Sequence, residues 1–457
     1  MFAALLSLCL LAAGVPPGPE FFAAHRQKLV EKLPADTVAV FRTAPETSVE
    51  TSPDPYRQDS SFWYLTGFAE PDAVAVLRPA AGAGRRYVLF VAERDFPAEQ
   101  WTGWRAGSEG AKRDFGADEA YPIGELATRL PELLAGARSL YYGDGGDARF
   151  KDQLVAVWNP GDANAREVRP IVDAAPVLNQ LRLVKDETEI ALLRRAAQLS
   201  AEAHVAALRA LKPGAYEYAL KAEMLRSCLA GGATRMAYPP IVGSGRNSVI
   251  LHYERDDARM AAGEMVVNDS ACEYAMYAAD VTRSYPVSGR FTPEQKIVYD
   301  IVLRAQKVAM AKVRPGTALR DVHQASVEVI VDGLLRLGIL TGDREQVLKD
   351  RTYQRFYPHG CSHWLGLNVH DVGSYGYPEG VERKARYGLA MTPLQPGMLL
   401  TVEPGIYIPE GATSDKRFWN IGVRLEDDVL VTKEGMECLS CAAPREPADV
   451  EKAISGR

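Results

Sequence analysis

The chain has no excess of positive charge. Its 53 Lys and Arg stand against 59 Asp and Glu for a formal net charge of −6. The basic residues are scattered among acidic ones, so no field exists to neutralise a phosphate backbone, and nucleic acid is not expected as a partner. Cysteine is scarce, at six in 457 residues. Cys438-Leu-Ser-Cys441 has no second pair of similar spacing, which argues against a paired-cysteine zinc site. Two small residues in a C-terminal strand are the expected reading of that motif, with a disulfide or redox pair as the alternative. Long apolar runs are missing as well. The candidate at 1–15, MFAALLSLCLLAAGV, is too short to span a bilayer and ends in the small residues Ala12-Ala13-Gly14. It is read as a candidate signal peptide, although no Lys or Arg opens it. Export to the periplasm or medium is expected if that leader is cleaved, a cytoplasmic location if not, and no membrane span in the mature chain.

What is present points to a folded body of two domains. The length exceeds one ordinary hydrophobic core, and 47% hydrophobic with 25% charged residues is a globular balance. From 16 to 182, short apolar runs at Thr37–Phe41, Ala73–Leu77, Tyr87–Val91 and Ser139–Tyr142 alternate with helical periodicity, which predicts an α/β layered domain. The glycines of Gly143-Asp-Gly-Gly-Asp147 lack the residues that follow in a nucleotide loop and read as a turn.

From 183 to 457 the pattern changes. Asp186 with Glu189 forms a capping box that opens a helix running to Lys212-Pro213-Gly214. Thr292, Pro293 and Gln295 repeat the device, and that helix runs to Arg314-Pro315-Gly316. An amphipathic stretch follows each Pro-Gly, at Tyr216–Leu229 and Leu319–Leu337. A helix, Pro-Gly, helix unit occurring twice predicts an internal duplication, with a site in the cleft between the halves.

The chemistry concentrates in the second domain. "HGCSHWLGLNVHD" at 359–371 holds three of the seven histidines, and four acids, Asp269, Asp280, Glu403 and Glu426, close otherwise apolar strand-like runs. A carboxylate at the end of a buried strand is costly unless paired or metal-bound. Four of them in one cleft repel one another, and two divalent cations would cancel the charge. Oxygen-rich ligation with one imidazole favours harder ions such as manganese or cobalt. Two such ions can activate a shared water at neutral pH, so hydrolysis is the expected reaction class.

Five ordered blocks, "LHYERDD" (251–257), "DSACEYAMYAADVTRSYPVSGRF" (269–291), "HGCSHWLGLNVHDVG" (359–373), "TVEPGIYI" (401–408) and "IGVRLEDDVLVT" (421–432), resemble the metal-site blocks of the aminopeptidase P and prolidase family. "SSFWYLTGFAEPDAVAVL" (60–77) and "AEQWTGWRAG" (98–107) extend the resemblance into the first domain. It implies an α+β pita-bread catalytic domain of creatinase type with internal pseudo-duplication, behind an aminopeptidase P-like α/β N-terminal domain. It also implies two manganese ions per chain: Asp269 on one, His363 and Glu403 on the other, Asp280 and Glu426 bridging. Glu403 would also take a proton from the attacking water. The resemblance makes His252, His359 and His370 outer histidines that orient substrate and stabilise the oxyanion. Arg424 and Tyr407 would line the cleft, and His359 would be a wall of the proline pocket. Trp101 matches a tryptophan that approaches the site across a subunit contact, which implies a homo-oligomer, dimer or tetramer.

The implied substrates are peptides with a penultimate proline, whose tertiary amide lacks the N–H that many peptidases grip. Prolidase, which cuts dipeptides only, and a silent binding module on the same fold are the alternatives. The family block around the first aspartate usually reads Asp-Ala-Gly after an apolar residue, whereas this chain has Asn268-Asp269-Ser270-Ala271, which puts strand packing and the surroundings of the ligand in question. His25, His204 and His323 match no motif and are expected to be ordinary helix residues.

Overall fold

The computed structural model describes residues 17–46, 56–82, 84–159, 169–377 and 389–456, so the candidate leader lies outside the described residues. Among these, residues up to Leu181 form one compact unit and those from Arg182 another. In the N-terminal unit, strands β1 (Thr37–Arg42), β2 (Val74–Leu77), β3 (Tyr87–Val91), β4 (Glu119–Pro122), β5 (Ser139–Gly143) and β6 (Ile171–Asp173) make one sheet in the order β4-β3-β2-β1-β5-β6. The β1–β2 and β2–β3 pairs are antiparallel and the other three parallel. Every residue of β2 and β3 is buried, which is why VAVL and YVLFV are apolar throughout rather than alternating. Val40, Val76 and Phe90 pack with Leu130, Leu154 and Trp158 of the covering helices. The 143–147 glycine stretch ends β5, and Asp147 caps the next helix by accepting from Arg149 N.

The C-terminal unit is built on two helix pairs, α1 (Glu187–Ala210) with α2 (Glu217–Ala230), and α3 (Pro293–Met310) with α4 (Leu319–Arg336). Both capping boxes form. The two Pro-Gly turns are conformational copies: Gly214 has φ 84° and Gly316 φ 85°, in the left-handed region that a side chain disfavours. Gly214 N donates to Met260 O and Gly316 N to Leu394 O, each at 2.8 Å. Met260 leads into β9 (Met265–Asp269) and Leu394 into β13 (Leu399–Val402). Asp269 and Glu403 then fall nine positions beyond these two carbonyls, so the duplication carries an acid to the same place in each half.

Around these lie β7 (Arg235–Met236), β8 (Ile241–Ser244), β10 (Cys272–Tyr274), β11 (Tyr277–Ala278), β12 (Thr282–Pro286), β14 (Gly405–Ile408), β15 (Ile421–Arg424), β16 (Asp427–Val431) and β17 (Met436–Cys438). β9 pairs antiparallel with β12, with Thr282 opposite Asp269. The interval between the two aspartates is more than a hairpin turn: it contains a smaller hairpin, β10–β11, turned by Ala275 and Met276 at φ 47° and 69°. α3 and α4 pack Val298, Val302 and Ile330 against Leu400, Ile406 and Val423, so the strands carrying Glu403 and Glu426 rest on a continuous core. Among the described residues two disulfides are present, Cys228–Cys272 joining α2 to β10, and Cys438–Cys441. The second corrects the reading of that CxxC as two unlinked residues in a strand, since Cys441 lies beyond β17 and bonds back to it.

Candidate metal centre

Each acid sits where a strand stops. Asp269 ends β9, Asp280 lies between β11 and β12, Glu403 follows β13, and Glu426 separates β15 from β16. The histidine segment runs alongside β13: Glu403 N donates to Cys361 O (2.8 Å) and Thr401 N to His363 O (3.0 Å), and Trp364 bridges to Leu400. This pairing brings His363 Nε2 to 3.3 Å from Asp280, 3.7 Å from Glu403 and 4.0 Å from Glu426. His363 Nδ1 is 3.0 Å from Trp364 O, which can only accept. Nδ1 therefore carries a proton, which leaves Nε2, the nitrogen that faces the carboxylates, as the position a metal ion would take.

Further hydrogen bonds hold the other acids in place. Tyr238 OH and Arg424 Nη2 each donate to Asp269 at 2.6 Å. Thr282 Oγ1 donates to Glu426 at 2.6 Å, and Asp428 accepts from Asp280 N at 3.1 Å. Asp269, Asp280, His363, Glu403, Arg424 and Glu426 line a cavity of about 550 Å³ together with His252, His359, His370, Tyr375 and Tyr377.

Burial, reinforced by Asp280 and Asp269, pushes the Glu403 carboxyl up to about 8 against the opposing pull of His363 and Arg424. Glu426 is raised by burial, Asp280 and Glu403. His363 moves to about 9: burial opposes its charge, and Asp280 and Glu403 outweigh burial. This is the electrostatic signature of a negatively charged cleft in need of cations. Asp280, His363 and Glu426 offer ligand atoms all within 4.8 Å of one another, an oxygen-rich set with one nitrogen that suits a hard divalent ion.

His359 stands at the inner wall. Its Nδ1 donates to Gly360 O (2.8 Å), and its Nε2 meets Tyr407 OH (2.9 Å), which in turn accepts from Arg424 Nη1 (2.9 Å). Burial first, then Arg424, pushes its pKa down to about 3, so the ring is neutral. His252 and His370 are exposed at the cavity wall, and the His370 ring stacks edge-on to His363 at 4.3 Å. Tyr407 is one layer behind, joining His359 to Arg424. Trp101 belongs to the N-terminal unit, on the helix Phe96–Thr102, and is 90% exposed.

Several contributing residues escaped the sequence reading. Tyr238 belongs to none of the recognised blocks, so only the fold shows its bond to Asp269. Asp371, the last residue of "HGCSHWLGLNVHD", anchors the segment through buried contacts with Arg182 (2.6 Å) and Lys185 (3.1 Å). His204 and His323 are helix residues, as expected, but their bonds reach the segments that carry the site. Both are buried, and burial pushes each down to about 4, hence neutral. His323 Nδ1 accepts from Cys361 N (3.1 Å), midway between His359 and His363. The departures at 268 and 270 answer each other, since Ser270 Oγ donates to Asn268 Oδ1 at 2.7 Å.

Comparison with known proteins agrees with this geometry. Residues 191–433 match metallopeptidase family M24, and residues 22–141 match the aminopeptidase P N-terminal domain. The chain is 39% identical over 435 residues to the Xaa-Pro aminopeptidase of Escherichia coli K12, covering 94% of this chain and 96% of that protein. The chain belongs to the Xaa-Pro aminopeptidase family. The solved structure of Pseudomonas aeruginosa aminopeptidase PepP superposes with a TM-score of 0.90 at 40% identity, over 96% of this chain and 99% of that one. Escherichia coli aminopeptidase P with the inhibitor Pro-Leu superposes at 0.89 and 37% identity, with the same coverage. The C-terminal unit is thus the pita-bread domain of the Xaa-Pro aminopeptidase family, preceded by that family's N-terminal domain.

Proposed function

We propose that the chain is a divalent-metal aminopeptidase that removes the N-terminal residue from peptides with proline second, at a two-ion manganese centre held by Asp269, Asp280, His363, Glu403 and Glu426. The observation that carries this reading is the convergence of one imidazole, its Nε2 toward the acids, with buried carboxylates whose ionised forms are disfavoured by burial and by one another. Two bound cations would offset that charge and polarise a water for attack at neutral pH. Glu403, which follows β13 beside His363 and His359 and lacks a short bond to an arginine like that of Asp269, is the group to take the proton from the attacking water. His359, His252 and His370 surround the reacting carbonyl, and Arg424 with Tyr407 holds His359 in place. The neutral His359 ring, with Nδ1 spent on Gly360 O and Nε2 on Tyr407 OH, suits a wall for a proline ring, and His252 and His370 are the histidines left to steady an oxyanion by hydrogen bonding.

The relatives named Xaa-Pro aminopeptidase weigh against prolidase. The test is hydrolysis of Xaa-Pro and Xaa-Pro-Xaa peptides after manganese reconstitution, with tripeptide cleavage expected. Cleavage of dipeptides alone would replace this reading with prolidase. Retained activity with fewer than two ions per chain would replace the dinuclear centre. Export is our reading of location, supported by the two disulfides, which persist in oxidising compartments. A homo-oligomer is supported by the exposed aromatics Phe96, Trp101 and Trp104, and a monomer by light scattering would refute it.

A further inference from the structure

The two halves of the C-terminal unit repeat in side chains as well as in backbone. Ten positions before each turn glycine, on the first helix of each pair, stands a fully buried polar residue, His204 before Gly214 and Gln306 before Gly316. His204 Nε2 lies 3.0 Å from Ser270 O and 3.1 Å from Val281 O. Ser270 follows Asp269, and Val281 follows Asp280. Gln306 Nε2 donates to Val402 O (3.2 Å) and to Asp427 Oδ2 (3.0 Å). Val402 precedes Glu403, and Asp427 follows Glu426. In each half, one side-chain nitrogen therefore bonds to immediate chain neighbours of both acids of that half.

The proton positions follow from the partners. Both oxygens at His204 Nε2 are carbonyls, so that nitrogen carries the hydrogen, and Nδ1 accepts from Tyr285 OH at 2.5 Å on β12. Both partners of Gln306 Nε2 accept only, and Gln306 Oε1 faces Arg445 Nη1. A buried imidazole or amide must find partners somewhere. Nothing in that requirement sends the same helix position, in both halves, to the flanks of two acids distant from each other in sequence. A shared donor, joining two peptide carbonyls in the first half and a peptide carbonyl and the Asp427 side chain in the second, restrains the separation of the segments it joins and with it that of the carboxylates beside them.

We propose that His204 and Gln306 are paired positioning residues, each setting the spacing of the two metal-binding carboxylates in its own half of the site. This rests on the reading of Asp269, Asp280, Glu403 and Glu426 as metal ligands. Wild type, His204→Leu, Gln306→Leu and His204→Gln are purified, checked for folding by circular dichroism, stripped and titrated with Mn2+ by calorimetry, and the loaded forms are compared by electron paramagnetic resonance. Wild type is expected to take two ions. Each folded leucine variant is expected to bind on the order of ten- to a hundredfold more weakly, with an altered spectrum, as when other partners of ligands are removed. Their kcat should fall with KM little changed. His204→Gln gives the first half the residue of the second and should restore near wild-type binding.

A wild type that binds no manganese overturns the centre and this proposal together. Two ions in wild type with unchanged affinity in a folded leucine variant overturns the proposal alone. If the leucine variants do not fold, His204→Gln decides: near wild-type binding supports the proposal, and a folded protein with more than about tenfold loss overturns it.

Discussion

The two halves of the catalytic unit share a turn, a helix register and the placement of an acid, yet they treat that acid differently. In the first half, both oxygens of Asp269 are committed, one to Tyr238 and one to Arg424. In the second, Glu403 faces His363 at 3.7 Å and His359 at 3.6 Å, with burial raising it to about 8. The segment between turn and strand is also longer in the second half, from Gly316 to Leu394 against Gly214 to Met260, and it holds His359, His363 and His370 where the first holds only His252. On the function we propose, the first half presents a fixed ligand and the second a carboxylate able to exchange a proton, with the histidines around it.

If this division of labour holds, Glu403→Gln should be the most damaging change, lowering kcat by roughly 10²–10⁴-fold with the circular dichroism spectrum unchanged. Near-normal turnover would erase the distinction between the halves. The next largest effect is expected on stability and in the first half. Cys228–Cys272 closes a separation of 44 residues, so Cys228→Ser should cost about 4 kcal/mol in a denaturant melt, against a much smaller loss for Cys438→Ser, whose bond spans 3. Equal losses would show that loop closure is not the source.

A smaller change is predicted for His359→Ala, a fall in kcat of about a hundredfold on a tripeptide substrate, with metal content unaltered. Loss of metal instead would move His359 from substrate to ligand.

The mildest test compares pH profiles. His204 and His323 are held near 4 in the folded chain against an ordinary 6.5, so the unfolded chain binds more protons between these values. Their contribution is complete above about 6.5 and declines as pH falls towards 4, by up to about 1.4 kcal/mol per pH unit for each group. His323→Leu should flatten that part of the stability profile relative to wild type in urea melts at several pH values.

Much of the frame was legible in the chain. Asp186 with Glu189, and Thr292 with Gln295, announced their helices because a capping box is a local bargain between side chain and adjacent backbone. The apolar strands of the N-terminal unit were legible for a similar reason, since burial on both faces leaves an unbroken run. The β10–β11 hairpin was not, because Ala275 and Met276 are not the residues that usually mark left-handed turns. The Cys228–Cys272 bond was hidden because cysteine spacing carries no pairing information across 44 residues.

At the site, the acids could be picked out as ligand-capable groups ending apolar strands, and the histidines by the blocks that hold them. Their supports could not. Tyr238, Asp371, His323, His204 and Gln306 act through bonds to residues tens to more than a hundred positions away, and no local pattern records such a contact. The sequence by itself determined the domain classes, the duplicated helix pairs and the inventory of ligand-capable groups, because these follow from periodicity, capping and residue chemistry along the chain. Only the tertiary structure decided that His363 presents Nε2 to the acids, that Asp269 is locked while Glu403 is not, and that one buried donor per half ties each pair of acids together. Those outcomes depend on which distant backbone carbonyls and side chains the packed strands bring within hydrogen-bonding distance.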